Sequence, residues 1–195
     1  MRINSKWVIL FGSIIIACGL GLLIFIKISE DNVQKQTAGI LTVIEEVLPS
    51  NSDGSVGDYS SNVMPVMEIK GEDIIGVIKF KTLGVNLPIG NEWDNEDNMS
   101  YPKRLSGSVY NNSLVVGGYD SKGQFDCLKK LDIGNRITVT DMTGAQFEFE
   151  VKDIKRKKSI KENSFRGENT HLTLFVSDSN SSVYIIVQCI NLGSN

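Results

Sequence analysis

The sequence predicts a mainly β domain, a sandwich or barrel with one or two short helices, preceded by a single transmembrane helix. Three observations lead to it. Near the N-terminus twenty consecutive positions carry no charge, the second half of the chain consists of short apolar runs separated by turn residues, and a stretch rich in Ser, Gly, Asn and Asp divides the two. With 195 residues, 41% hydrophobic content and a formal net charge of −3, the chain has globular composition and room for one domain with appendages.

The uncharged run is WVILFGSIIIACGLGLLIFI (7–26). A helix needs about 20 apolar residues to cross a bilayer core roughly 30 Å thick. A cleavable signal peptide would have an apolar stretch of about 7–15 residues ending in a small-residue cleavage site. Here the run is longer and Lys27, Glu30 and Asp31 follow it, which favours an uncleaved anchor over 7–28. Arg2 and Lys6 precede the span, so the positive-inside bias puts residues 1–6 in the cytoplasm and the rest of the chain outside. Beyond the span lie 17 Lys and Arg against 23 Asp and Glu, a net charge of −6, which argues against nucleic acid as a partner. Cys18 falls inside the span, leaving Cys127 and Cys189 outside, too few for a disulfide-held secreted domain. Ser13, Ala17 and Gly21 recur every four residues; such a stripe can pack against another helix, although small residues are common in membrane helices in any case.

Residues 29–65 read as a juxtamembrane helix and a spacer. In QTAGILTVIEEVL (36–48), Ile40, Val43, Ile44 and Val47 stand at helical spacing, and Pro49 ends the pattern. PSNSDGSVGDYSSN (49–62) is too polar to bury a core and behaves as a flexible spacer, expected to lift the following domain off the membrane.

From residue 66 to the end the pattern is that of strands. Candidates are IIGVIKF (74–80), VNLPI (85–89), SLVVGG (113–118), RITVTDM (136–142), QFEFEV (146–151), LTLFVS (172–177) and VYIIVQCI (183–190). The turn TGA (143–145) predicts a hairpin, and QFDCLKKL (124–131) predicts a helix.

The chemistry these residues exclude is broad. One histidine, no Cys-x-x-Cys pair and no His-Glu-x-x-His helix argue against a metal centre, and no cofactor motif is present. The acidic loop NEWDNEDN (91–98) lacks the glycine and terminal glutamate of a calcium loop and reads as solvated. The basic run VKDIKRKKSIK (151–161) reads as a solvated edge or loop, with an anionic wall polymer as the alternative.

Two longer stretches are more informative: SLVVGGYDSKGQFDCLKKLDIGNRITVTDMTG (113–144) and LTLFVSDSNSSVYIIVQC (172–189). They resemble the two signature regions of the sortases, membrane-anchored cysteine transpeptidases of Gram-positive bacteria that attach surface proteins or build pili. In that family a strand ends in Ala-Gly-His-Asn, then come a Phe-x-x-Leu helix and a Leu-x-x-Gly-Asp strand entry; here Phe125, Leu128, Leu131, Gly134 and Asn135 hold those places. The second region reads Thr-Leu-x-Thr-Cys, a short loop, then an arginine opening a last strand that ends near Val-Arg-Cys; Thr173, Leu174 and Phe175 match, as does Cys189. Upstream, Ile75-Gly76 and Leu87-Pro88 fit the entry strands, whereas the proline of the family's Ile-Pro is Lys81. YPKRLSGSVYNN (101–112) follows the clostridial pattern of a class B or D enzyme. The resemblance covers 64–189 and implies a closed sortase-type β-barrel.

The departures fall on the residues that carry the family's chemistry. Tyr119 stands where the family has its catalytic histidine, Ser177 where it has the nucleophilic cysteine, and Tyr184 where it has the arginine. Serine needs an adjacent base to take its proton. A phenol, with a reference pKa of about 10, stays protonated at pH 7 and is no such base. His171 lies six residues before Ser177 on one predicted strand, roughly 20 Å away. Asp120 and Asp178 each follow a substituted position, and neighbours in extended chain point to opposite faces. Tyr184 can donate a hydrogen bond to a developing oxyanion but brings no positive charge. As the six residues 178–183 would form a hairpin loop, Ser177 and Tyr184 should be cross-strand neighbours.

The expectation is therefore a membrane-anchored, extracellular pseudo-sortase that binds a sorting-signal peptide, a pilin or an active sortase. The alternatives are an acyltransferase or hydrolase using Ser177, and a structural envelope protein without a peptide groove.

Overall fold

The computed structural model describes residues 5–48, 62–93, 100–120, 125–161, 164–165, 167, 169–178 and 183–194. Most of the spacer (49–61) and the acidic positions Asp94, Glu96 and Asp97 lie outside the described residues.

One helix, α1 (Ser5–Val47), takes up the N-terminal part without interruption. This corrects the expectation of a separate short helix over 36–48. The cause is local: the segment ISEDNVQKQ (28–36) contains neither proline nor glycine, so nothing stops the helix until Pro49. Among the described residues no helix is long and apolar enough to cross a membrane. Ile14, Ile15, Ile16, Leu22, Leu23 and Phe25 of α1 are nevertheless all at least 50% exposed.

The β domain contains β1 (Met67–Ile69), β2 (Glu72–Phe80), β3 (Val85–Gly90), β4 (Lys103–Ser106), β5 (Leu114–Tyr119), β6 (Arg136–Asp141), β7 (Gln146–Lys157), β8 (Leu172–Asp178) and β9 (Val183–Ser194). The order around the sheet is β1-β2-β3-β4-β5-β8-β9-β7-β6, and β6 pairs back onto β2, so β2 to β9 close into an eight-stranded barrel with β1 added at the rim. β3–β4 and β5–β8 are parallel pairs; the rest are antiparallel. Closure removes the open edges that an antiparallel sheet would otherwise expose. The β6–β7 hairpin turns at Thr143 to Ala145, where Gly144 has φ 90° and Asp141 Oδ1 accepts from the Thr143 and Ala145 amides.

Side chains alternate along each strand between the barrel interior and its outside. Leu114, Val116, Leu172, Leu174, Val176, Ile185, Val187 and Cys189 all enter the interior cluster with Phe80, Ile137 and Phe149. The predicted helix over 124–131 is only a five-residue 3₁₀ turn (Asp126–Lys130); Cys127 and Leu128 are buried there, and Phe125, fully buried, closes on Gly118. The short β1 and β4 were not foreseen, and the basic run is strand as far as Lys157.

The last turns of α1 dock on the barrel. Ile40 and Ile44 are 0% and 1% exposed among Ile69, Ile74, Tyr101 and Met142. Thr37 Oγ1 donates to the Ser100 carbonyl at 3.1 Å, and Ser100 Oγ donates to Gln36 Oε1 at 2.7 Å. Tyr101 Oη and Gln36 Nε2 both donate to Glu72, at 2.7 and 3.4 Å. The contact begins at Gln36, nine residues after Lys27, about 14 Å along the helix. The domain is seated on the last turns of α1; the expected spacing role of 49–62 falls on residues that lie almost wholly outside those described.

Candidate functional site

Four adjacent strands, β5, β8, β9 and β7, build the outer face on which the substituted positions stand. Tyr119 is paired with Ser177, Ser177 with Tyr184, and Tyr184 with Lys157, so these four form one row across the sheet. A second row is Gly117, Phe175, Ile186 and Lys155; a third is Val115, Thr173, Gln188 and Asp153. The burial pattern fixes which face this is. Ile185 and Val187 join the interior cluster, whereas Val115, Phe175 and Ile186 form a separate cluster outside it. Lys155 Nζ donates to Gln188 Oε1 at 2.6 Å, putting Lys155 on that outer face, and Lys157 follows it at period two.

The middle row is covered by aromatic rings. Trp93, after β3, is held by its amide donating to the Arg104 carbonyl at 2.8 Å. Its ring lies 5.3 Å from Phe175 and 6.1 Å from Tyr119, and the Phe165 ring lies 4.8 Å from Phe175. Gly117 makes room for this, because a Cβ there would come within 2.2 Å of Phe175.

At the third row the face opens into a cavity of about 790 Å³, whose walls include Asn112, Val115, Phe165, Thr170, His171 and Thr173. Asn191 donates its amide to His171 Nδ1 at 2.8 Å, so the other ring nitrogen carries the proton. Thr173 Oγ1 donates to the Phe165 carbonyl at 2.9 Å.

The distribution of titratable groups decides what the first row can do. His171 precedes β8 while Ser177 is next to its last residue, so no direct proton transfer links them. The Asp120 carboxylate is engaged by Lys129 at 2.5 Å. Both cysteines of the domain are inside the barrel, not on this face: burial, with Asp126 adding to it, pushes the Cys127 thiol up to about 12, and burial raises Cys189 as well. A nucleophilic thiolate needs the opposite environment. Among the described residues of the row, three carry hydroxyls and Lys157 carries a charge. Side-chain oxygens and an ammonium there suit hydrogen bonding and anion attraction rather than acyl transfer.

The Ser177–Tyr184 pairing expected from the hairpin is present, and the structure brings Tyr119 alongside Ser177 on its other side. Sequence reasoning missed Trp93, Gly117, Phe165 and the place of Lys157.

Several solved structures share this fold. A Clostridium perfringens sortase D5 transpeptidase is similar with a TM-score of 0.58 at 16% identity, over 83% of this chain and 99% of that one. The Clostridium perfringens sortase C with the C-terminal cell wall sorting motif aligns with a TM-score of 0.54 at 13% identity, over 84% and 91%. Listeria monocytogenes sortase A aligns with a TM-score of 0.55 at 13% identity, over 63% and 89%. No family model matches the chain, and no curated protein matches it in sequence. The fold is that of the sortases: a closed eight-stranded barrel with its own helix packed against it.

Proposed function

We propose that this protein is a membrane-anchored, extracellular sortase-fold protein that binds a partner without transpeptidase chemistry. Residues 7–28 are its anchor, and its partner is a sorting-signal peptide, a pilin or an active sortase. The observation that carries this reading is the row Tyr119, Ser177, Tyr184, in which a nucleophile, a base and a cation of the resembled family are all replaced by hydroxyl groups. A serine without a base in reach is a poor acyl acceptor at neutral pH. The similar Clostridium perfringens sortase C was solved with a C-terminal cell wall sorting motif, and the partial exposure of Tyr119, Ser177 and Tyr184 in this chain supports contact with a partner at that row.

The test uses the full chain in nanodiscs and fluorescent sorting-signal peptides. Saturable binding with the peptide recovered intact by mass spectrometry supports the proposal. Absence of binding to any of the three partner classes assigns the chain a structural envelope role instead.

A further inference from the structure

Closure of the barrel stops short on one strand. β6 pairs with β7 only from Gln146 to Glu150, and the Val151 amide and carbonyl still bond to Asn135 and Gly134. On its other side β7 is paired with β9 as far as Lys157. Among the described residues, 152–157 thus have a neighbouring strand on one side only, and no backbone hydrogen bond reaches them on the other. Such an edge presents unpaired N–H and C=O groups, a template on which a further strand can form.

The side chains along this edge say which strand it admits. Lys152, Arg156 and Lys157 are exposed, while Ile154 is half-buried against the interior cluster. Lys155 is engaged by Gln188 at 2.6 Å and Asp153 at 3.1 Å; among the described residues no ion pair engages Lys152, Arg156 or Lys157. Residues 151–161 hold six of the 17 Lys and Arg that follow the span but one of the 23 Asp and Glu, so the rest of that part of the chain is strongly acidic. Two copies of this edge set together would bring like charges face to face, which is destabilising. The basic side chains therefore keep the chain from pairing with itself and favour a strand of opposite sign.

We propose that the free edge of β7 over 152–157 binds an acidic, extended segment of another protein as an added strand. Main-chain hydrogen bonds to the edge hold the segment, and carboxylates beside Arg156 and Lys157 select its sign. The unpaired backbone is what separates a peptide strand from a bare polyanion, which carries charge but nothing to extend the ladder. This edge faces away from β9 and the row at Tyr184, so the inference goes beyond the partner-binding reading above and does not depend on it. No bond is made or broken.

The experiment measures the fluorescence anisotropy of a labelled nine-residue peptide of alternating Glu and Val with the full chain in nanodiscs of neutral lipid. A second peptide has the same side chains with every backbone nitrogen methylated, and a third has Gln in place of Glu. The first is expected to bind saturably and the other two at least about ten-fold more weakly. Arg156→Gln is expected to weaken the first peptide about five-fold, whereas Lys161→Gln, an equal loss of charge beyond the end of the strand, changes it less than about two-fold. Equal binding of the methylated peptide overturns strand addition, since charge alone then suffices. Equal binding of the Gln peptide overturns the acidic assignment, and equal weakening by Arg156→Gln and Lys161→Gln overturns the placement on this edge. Failure of the first peptide to bind overturns the proposal outright.

Discussion

Trp93 lies directly over Gly117, so that a Cβ at Gly117 would come within 2.5 Å of the indole Cζ3 and 2.2 Å of the Phe175 ring. The lack of a side chain at one position is thus what lets an indole from the β3–β4 connection and the Phe175 ring pack on the face that carries Tyr119 and Ser177. Gly117→Ala inserts a methyl group where neither ring can easily yield, and overpacking of this kind costs about 1–3 kcal/mol. A lower denaturation midpoint with a red-shifted tryptophan emission is expected. Unchanged stability and emission would contradict the packing described here.

The helix and the barrel are joined by a small apolar contact. Ile40 and Ile44 are fully buried in it, and truncating a buried isoleucine costs about 2–5 kcal/mol. Ile44→Ala is expected to raise amide exchange over residues 36–47 by at least ten-fold while exchange in β8 and β9 stays slow. If α1 and the barrel remained equally protected, the docking would have to be carried by the polar contacts at Thr37 and Gln36.

Thiol reactivity tests the interior of the barrel. Cys127 and Cys189 are buried and their ionisation is suppressed. A thiolate-selective reagent at pH 8 is expected to leave Cys127 and Cys189 unmodified in the native chain and to modify both after unfolding. An unfolded thiol ionises near 9 while Cys127 holds its proton to about 12, so stability falls as pH rises through that interval. Rapid modification of Cys127 or Cys189 in the native chain would contradict their burial.

Glu148 gives a dependence at the acid end. Its carboxyl lies below the usual 4.5, first because Lys81 Nζ donates to it at 2.5 Å, with Thr138 adding a further bond. A depressed carboxylate contributes stability that is present above its unfolded pKa and lost as pH falls through the lower folded value. Because Lys81 is half exposed, the pair contributes at most about 1 kcal/mol. Glu148→Gln is expected to flatten the stability profile below pH 4.5 by that small amount, as read by urea denaturation at several pH values.

What was legible in the sequence was local. The cores of β2, β3, β5, β6, β8 and β9 are continuous or alternating apolar runs with turn residues at both ends, and the pairing of Ser177 with Tyr184 follows from the length of the loop between them. β1 and β4 are three and four residues long, and β4 buries none of its side chains, so neither leaves a pattern. The place of Lys157 was hidden for another reason: the β7–β9 register shifts at Glu148/Phe149 and again at Val151/Asp153, and counting along the chain passes over both irregularities. Trp93 reaches Gly117 from a loop 24 positions earlier, a contact no periodicity announces. The single helix α1 went unseen because amphipathic spacing marks the buried face at Ile40 and Ile44 but not the polar turns that join it to the apolar run.

The proposed loss of transpeptidase chemistry is tested most directly by a search for acyl-enzyme. The full chain is incubated with sorting-signal peptides and an amine acceptor, and intact mass spectrometry follows both protein and peptide. An unmodified protein, an uncleaved peptide and no amide product are expected, in the native chain and in Ser177→Ala alike. A covalent adduct on Ser177, or turnover that disappears in Ser177→Ala, would contradict that loss.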